Sequence, residues 1–405
     1  MLAQILGLSI VATAVALGQG VYPQGSTFPL ELYSLQPASD MPSVVTNGWN
    51  IGHQYGWAQV SDPAAGESSL NSLMQTFSQN GIQGLPHLPD YINYDSKGHY
   101  YYTEWSQNDM AGWIQAIAPN SNIAYWDLPE EQRYWKPTEF QIVKDYSAWT
   151  RANDPAQRPN YMYIPWNYTA AQVSHYVPYL DIISSAAYAE EAKQPHAWVR
   201  WRMEETIRGI QQAGATIGQD YLHGQKTPVG IIELDKSKWG TVPSQAETNH
   251  DFWQLIVSGA KGIFVFSYFH RNDDNGALIP NWNNLQQDAA EIAGSELGNV
   301  ILHGQPLNGV TTSVLSGPTR TLSFVPAGYT THVYFPSIDL MVQQWNGSSY
   351  IIAVNSTDKP VTASLSNLPT SSGTATVMFE SRTIPFSGSR FTDTFPAWGV
   401  HIYKL

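Results

Sequence analysis

Eight short apolar runs, most of them followed by a segment with the spacing of an amphipathic helix, constrain this chain more than any other feature. The runs cover residues 28–35, 48–55, 83–88, 123–128, 161–165, 180–186, 229–233 and 262–269. Between and after them, apolar residues recur three and four apart over 68–79, 109–118, 138–151, 197–213, 244–258 and 285–297, which predicts helices. Thr169 is placed to cap a further short helix, and Ser106 to cap the one over 109–118. The aromatic stretch 91–105 reads as a loop. Strand and helix alternating eight times over about 270 residues match a closed parallel (β/α)8 TIM barrel, class α/β. An open doubly wound sheet fits less well, because no G-x-G-x-x-G turn follows the first run.

Beyond residue 298 the texture changes. Thr, Ser, Gly and Val alternate with period two over 322–325, 332–335, 350–354, 375–379 and 399–403. This predicts a smaller antiparallel β-sandwich of about 100 residues. The expected division is therefore a leader at 1–18, the barrel at 19–298 and the β-sandwich at 299–405.

The leader is inferred from residues 2–17, an apolar stretch ending in small residues after which cleavage at Ala16 or Gly18 is permitted. It is short for a membrane span, and no later segment is apolar enough to be one, so no membrane association is expected once it is removed. N-x-S/T triplets at Asn167, Asn346 and Asn355 fit a secreted, extracellular glycoprotein. Cysteine is absent, so a large core must supply the stability that disulfides give smaller secreted domains.

The runs end in chemistry. The fourth closes on Asp127-Leu128-Pro129-Glu130-Glu131 and the seventh on Glu233-Leu234-Asp235. In a barrel both sets of acids stand at the carboxyl ends of strands, where the active site forms. Two carboxyls delivered there suit acid/base chemistry on a glycosidic bond. The bland alternatives are a solvated first helical turn for Glu130 and Glu131, and a hydrogen-bonding acid in the barrel mouth for Glu233. Asp127 fits a supporting or sugar-binding place and Asp235 a structural one. Other strand ends offer substrate-binding side chains: His53, Tyr55, His87, Trp166, Tyr188, Trp239, Tyr268 and His270.

Composition narrows the partners. Charged residues are only 13%, aromatics are also 13%, with 15 Trp and 23 Tyr, and the net charge of −13 gives nucleic acid no footprint. Rings in such number suit stacking on the C–H faces of a neutral oligo- or polysaccharide, although many must simply fill the core. There is no G-x-S-x-G elbow, H-E-x-x-H site, Walker loop or cysteine nucleophile, and the 11 histidines show no ligand spacing, so no metal or other cofactor is expected. Asn272-Asp273-Asp274-Asn275-Gly276 reads as a turn.

A barrel with an acid after strand four and Glu after strand seven resembles the large clan of retaining (β/α)8 glycoside hydrolases with an accessory β-sandwich. Trp345-Asn346-Gly347, Ala353-Val354-Asn355-Ser356 and the run from Phe391 to Tyr403 resemble that accessory domain, and Asp154-Pro155 with Arg158-Pro159 is also familiar from such barrels. The resemblance implies Glu233 as nucleophile and Glu130 or Glu131 as acid/base. It departs from the clan where Pro129, instead of Asn, precedes Glu130. The rival expectations are a non-catalytic carbohydrate-binding protein on the same scaffold, and a polysaccharide lyase, which needs a Tyr, Lys or His base beside a charge-neutralising group.

Overall fold

The computed structural model describes residues 20–55, 63–90, 92–94, 97, 100–102 and 107–405. The expected leader and the Ser106 cap lie outside them. Eight parallel strands form the first domain: β1 (Leu30–Leu32), β2 (Ile51–Gln54), β3 (Gln83–Pro86), β4 (Trp126–Asp127), β5 (Asn160–Met162), β6 (Ile182–Ala186), β7 (Thr227–Glu233) and β8 (Ile263–Phe266). Their order, β3-β2-β1-β8-β7-β6-β5-β4, leaves β3 and β4 to meet. They do so through parallel bridges Gly84–Ile123 and His87–Asp127, which close the barrel.

Strand periodicity sorts the side chains. Tyr33, Ile51, Leu85, Tyr125, Tyr161, Ile182, Val229, Ile231 and Phe264 fill the interior. Their neighbours Leu30, Leu32, Ile183, Ile232, Ile263 and Val265 point outward into the layer of helices. Complete burial of one such aliphatic or Phe side chain is worth about 1.5–3 kcal/mol, so both shells stabilise the closure. The helices follow their strands as expected, over Pro63–Gln79, Gln107–Ile117, Pro137–Asn153, Trp198–Gln212 and Gln245–Val257. Thr169 and Ser244 each close a capping box at a helix start. Asp154 accepts hydrogen bonds from Trp126 Nε1 and the Arg158 backbone N–H, both at 2.9 Å, so the Asp-Pro/Arg-Pro stretch anchors β4 from outside.

Three expectations need correcting. The stretch 91–105 carries an antiparallel strand pair, Ile92–Tyr94 with Tyr100–Tyr102, because Ile and Tyr favour strand pairing. The last barrel helix begins at Ile279, with Pro280 in its first turn where no N–H is needed. It ends at Ala293, and a separate helix, Leu297–His303, follows.

The second domain is one curled, continuous antiparallel sheet of nine strands: β9 (Gln305–Pro306), β10 (Thr311–Ser316), β11 (Ile338–Trp345), β12 (Ser348–Asn355), β13 (Val361–Ser366), β14 (Ser372–Val377), β15 (Arg382–Ser387), β16 (Arg390–Phe395) and β17 (Val400–Lys404). Its order is β9-β11-β12-β17-β14-β15-β16-β13-β10. Residues 322–325 and 332–335, expected as strands, share only the single bridge Phe324–Val333. Phe324 is buried and Val333 and Phe335 pack beside it, but Leu322, Val325 and Tyr334 are exposed, so the buried face is too small to sustain a longer ladder. The domain packs on the barrel through helix Gln245–Val257. There Gln254 Nε2 donates to Asp339 at 2.9 Å and Ser356 Oγ donates to Gln254 Oε1 at 2.7 Å, while Arg200 of helix Trp198–Gln212 pairs with Asp339 at 3.0 Å. Among the described residues no helix is long and apolar enough to cross a membrane.

Candidate active site

The carboxyl ends of the strands open on a cleft of about 560 Å³ lined by Tyr55, Glu130, Glu131, Tyr163, Pro165, Trp166, Asn167, Tyr188, Glu191 and Phe266. Five of the expected site residues therefore share one cavity: Tyr55, Glu130, Glu131, Trp166 and Tyr188. A second hollow continues past Glu130 and Glu131 to Asp90, Arg133 and Trp135. The cleft is thus one part of a longer groove.

Three further expected residues form its floor. Asp127 is fully buried and its Oδ2 accepts from His87 Nδ1 at 2.7 Å and from His53 Nε2 at 3.1 Å. Burial alone would raise the Asp127 carboxyl, but the two imidazoles hold it below the usual carboxylate range. Burial likewise opposes the charged form of His87, yet the charge and hydrogen bond of Asp127 win and push it up to about 9. His53 faces the same Asp127 and still falls, because its burial outweighs that contact.

Glu130 stands above this floor. Its two oxygens accept from Tyr55 Oη at 2.9 and 3.1 Å. Burial, then the negative charge of Asp127, pushes its carboxyl up to about 8, against the smaller opposing pull of His87 and Tyr55. Glu131 is more exposed and adopts a left-handed backbone, φ 57°, a conformation that side chains other than Gly reach at some cost. Its carboxyl is raised by desolvation, with Arg133 acting the other way.

Glu233 ends β7 and is almost completely buried, but it is not among the residues lining the cleft. Its Oε1 accepts from the backbone N–H of Glu190 at 2.7 Å and its Oε2 from that of Glu191 at 3.4 Å. These N–H groups open the short helix Ala189–Ala192 after β6. Burial pushes the Glu233 carboxyl up to about 8 although both N–H groups favour its charged form.

The other expected residues lie further out. Trp239 is half exposed, donates from Nε1 to the Glu191 carbonyl at 3.0 Å and carries Lys193 over its ring. Tyr268 donates to Asp40 at 2.7 Å, and His270 binds Asp273 at 2.6 Å. Asp235 lies 3.8 Å from His270 in that peripheral group, and Asp273 opens a short helical turn.

Sequence reasoning passed over several residues. Glu31 projects into the barrel from β1, fully buried, and among the described residues neither oxygen has a hydrogen-bond partner. Burial, then the charges of Asp127 and Glu130, raises it well above the usual carboxylate range, which favours its neutral form under the site. The signal was available, since Glu31 is an isolated acid in an apolar run just as Glu233 is. Tyr163, Phe266 and Glu191 gave no comparable signal, because nothing in their spacing separates a cleft wall from core. Of the three glycosylation triplets, Asn355 is fully buried, with Nδ2 donating to the Lys359 and Pro396 carbonyls, so it cannot carry a glycan in the folded chain. Asn167 and Asn346 are exposed.

Neither a protein-family model nor a curated protein matches the sequence. Solved structures do match the fold. An alpha-amylase from Geobacillus thermoleovorans, complexed with acarbose, is similar at 9% identity with TM-score 0.59, over 94% of this chain and 98% of that one. Alpha-galactosidase I from Mortierella vinacea is similar at 12% identity with TM-score 0.55, over 94% and 96%. A GH30 endoxylanase from Clostridium papyrosolvens C71 is similar at 12% identity with TM-score 0.53, over 94% and 96%. At such identities the likeness is one of architecture: the chain shares the barrel-plus-β-domain fold of these three enzymes, the fold that the resemblance in its sequence implied.

Proposed function

We propose that the protein is a secreted glycoside hydrolase acting on a neutral oligo- or polysaccharide, with Glu130 as proton donor and Glu233 as the second carboxylate. The observation that carries this reading is Glu130 itself: an acid in an aromatic cleft, held by Tyr55 and pushed up to about 8, so that it keeps its proton at neutral pH. Its burial and the Tyr55 hydrogen bonds favour it over the more exposed Glu131. Trp166, Tyr188 and Tyr163 offer faces for sugar rings. Glu130 would protonate the departing glycosidic oxygen. In the retaining course that the sequence resemblance implies, Glu233 would attack the anomeric carbon and Glu130 would then activate water. The Glu190 and Glu191 N–H groups favour ionised Glu233, and positive charge developing on the sugar favours it further.

The test is a kinetic comparison of variants. Glu130→Gln is expected to lower kcat by about 10²–10⁴ on a glycoside with a poor leaving group, and by much less on one whose leaving group needs no proton. Glu233→Gln is expected to abolish turnover of both while the fold is kept. Full activity in either variant removes that residue from the mechanism.

A second reading has its own observation. Glu233 turns its oxygens to backbone N–H groups and does not line the cleft, which favours, as the second reading, a carbohydrate-binding scaffold without turnover. Saturable binding of an oligosaccharide with no hydrolysis by the unmodified protein would decide for it. A lyase finds less support, since the described residues lining the cleft include no Lys or Arg to neutralise a substrate carboxylate.

A further inference from the structure

Outside the cleft, where the barrel meets the β-domain, three side chains that are unremarkable in sequence converge. His196 precedes helix Trp198–Gln212 and is 4% exposed. Its Nε2 faces Glu190 Oε1 at 3.5 Å and Glu247 Oε1 at 3.6 Å. All three donor atoms lie within 4.8 Å of one another. Its Nδ1 is committed to Asp251 Oδ2 at 2.8 Å. Asp251 Oδ1 is held in turn by His250 Nδ1 at 2.8 Å, and His250 Nε2 reaches Ser356 Oγ of the β-domain at 2.9 Å.

We propose that Glu190, His196 and Glu247 form a binding site for a divalent transition-metal cation of the zinc type, completed by water. Three features of the geometry point to it. Zinc bonds of about 2.0–2.2 Å at the tetrahedral angle place ligand atoms about 3.4 Å apart, close to both His196 separations. A single Nε2–H can donate to one carboxylate only, whereas a cation joins both. A metal-binding imidazole commonly gives its other N–H to a carboxylate that is itself held, and the Asp251–His250–Ser356 chain supplies that support.

The ligands are also disposed to leave one another free for the ion. Glu247 uses Oε2 in the capping box with Ser244 N–H, at 2.8 Å, so Oε1 remains for the metal. Thr241 hydrogen-bonds Glu190 and fixes it from the other side. Glu190 and Glu247 side chains are 23% and 24% exposed, which gives the ion an approach and room for a water ligand. The cation would tie the turn after β6 to the helix after β7. Because the Glu190 N–H is 2.7 Å from Glu233 Oε1, it would also fix the carboxyl at the end of β7.

Metal binding by the full chain tests this without any substrate, so the outcome is independent of the hydrolase reading. After chelator treatment, the protein is titrated with Zn²⁺ by calorimetry and with Co²⁺ by visible absorption. One equivalent of Zn²⁺, with the intense visible bands of four-coordinate Co²⁺, is expected. Both should be lost in His196→Ala and in Glu247→Gln; the latter keeps a capping-box acceptor and so keeps the helix start. Asp251→Asn should weaken binding by about 10–100-fold. His53→Ala, in the separate cluster of His53, His87, Asp127 and Glu130, should bind as the unmodified protein does. Absence of binding by the unmodified chain overturns the proposal, and so does binding that survives both His196→Ala and Glu247→Gln.

Discussion

Asp127 and Glu130 stand three residues apart at one strand end and hold protons with opposite preference. Two imidazoles keep Asp127 ionised, and that charge, added to burial, keeps Glu130 neutral up to about pH 8. If Glu130 is the proton donor, turnover should fall as pH rises through about 8. Tyr55→Phe removes a donor that favours ionised Glu130, so the alkaline limb should move to higher pH, read from kcat/KM against pH. An unmoved limb separates Tyr55 from the titrating acid. Stability carries the same sign. The raised carboxyls of Glu130 and Glu233 bind protons more tightly folded than unfolded, so stability is expected to fall as pH rises from about 4.5 to about 8. His87, raised from 6.5 to about 9, contributes fully below 6.5 and loses its contribution as pH approaches 9. Melting temperatures across this range should show the decline, and Glu130→Gln should flatten part of it.

At the scale of the element, β7 and the helix that follows it set where Glu233 sits. Gly230 lets Leu255 of that helix approach the strand; a Cβ there would lie 2.6 Å from Leu255 Cδ1. Gly230→Ala is expected to cost about 1–3 kcal/mol through overpacking, measured by the denaturant midpoint. Ser244→Ala, which opens the capping box at the helix start, should cost about 1 kcal/mol in the same assay. Elements of this kind were legible because their signals are local: a β-rich run, a cap, a three-four periodicity. The strand pair at Ile92–Tyr94 was not legible, since tyrosines in a polar stretch serve loop and strand alike. The strands of the second domain at Thr311–Ser316 and Arg382–Ser387 were missed because one is mostly exposed and the other has only Ile384 and Phe386 as apolar residues on its inward face.

Across the whole molecule, polar and ionic contacts lock the sheet domain to the barrel. Ser356 joins His250 and Gln254, Asp339 joins Arg200 and Gln254, and Lys404 pairs with Glu296. Apolar side chains from both domains, among them Phe252 and Ile256 of the barrel and Tyr350, Ile352 and Ile402 of the sheet domain, belong to one continuous cluster. The two domains are therefore expected to unfold together, as a single calorimetric transition whose two enthalpy measures agree. Two resolved transitions would show that the joint contributes little to either.

Sequence by itself determined the alternation of strands and helices, the change to a β-rich domain, and acids placed at the ends of the fourth and seventh runs. These follow from periodicity and from the fixed relation between a strand end and a barrel mouth. Tertiary structure decided which acids share a cavity. Glu130 and Glu131 enter the cleft while Glu233 turns to the backbone of the β6 turn, a choice set by side-chain packing that no spacing encodes. It also brought Glu31 beneath the site and gathered Glu190 and His196 from the segment after β6 with Glu247 from the helix after β7, because convergence of distant residues exists only once the barrel has closed.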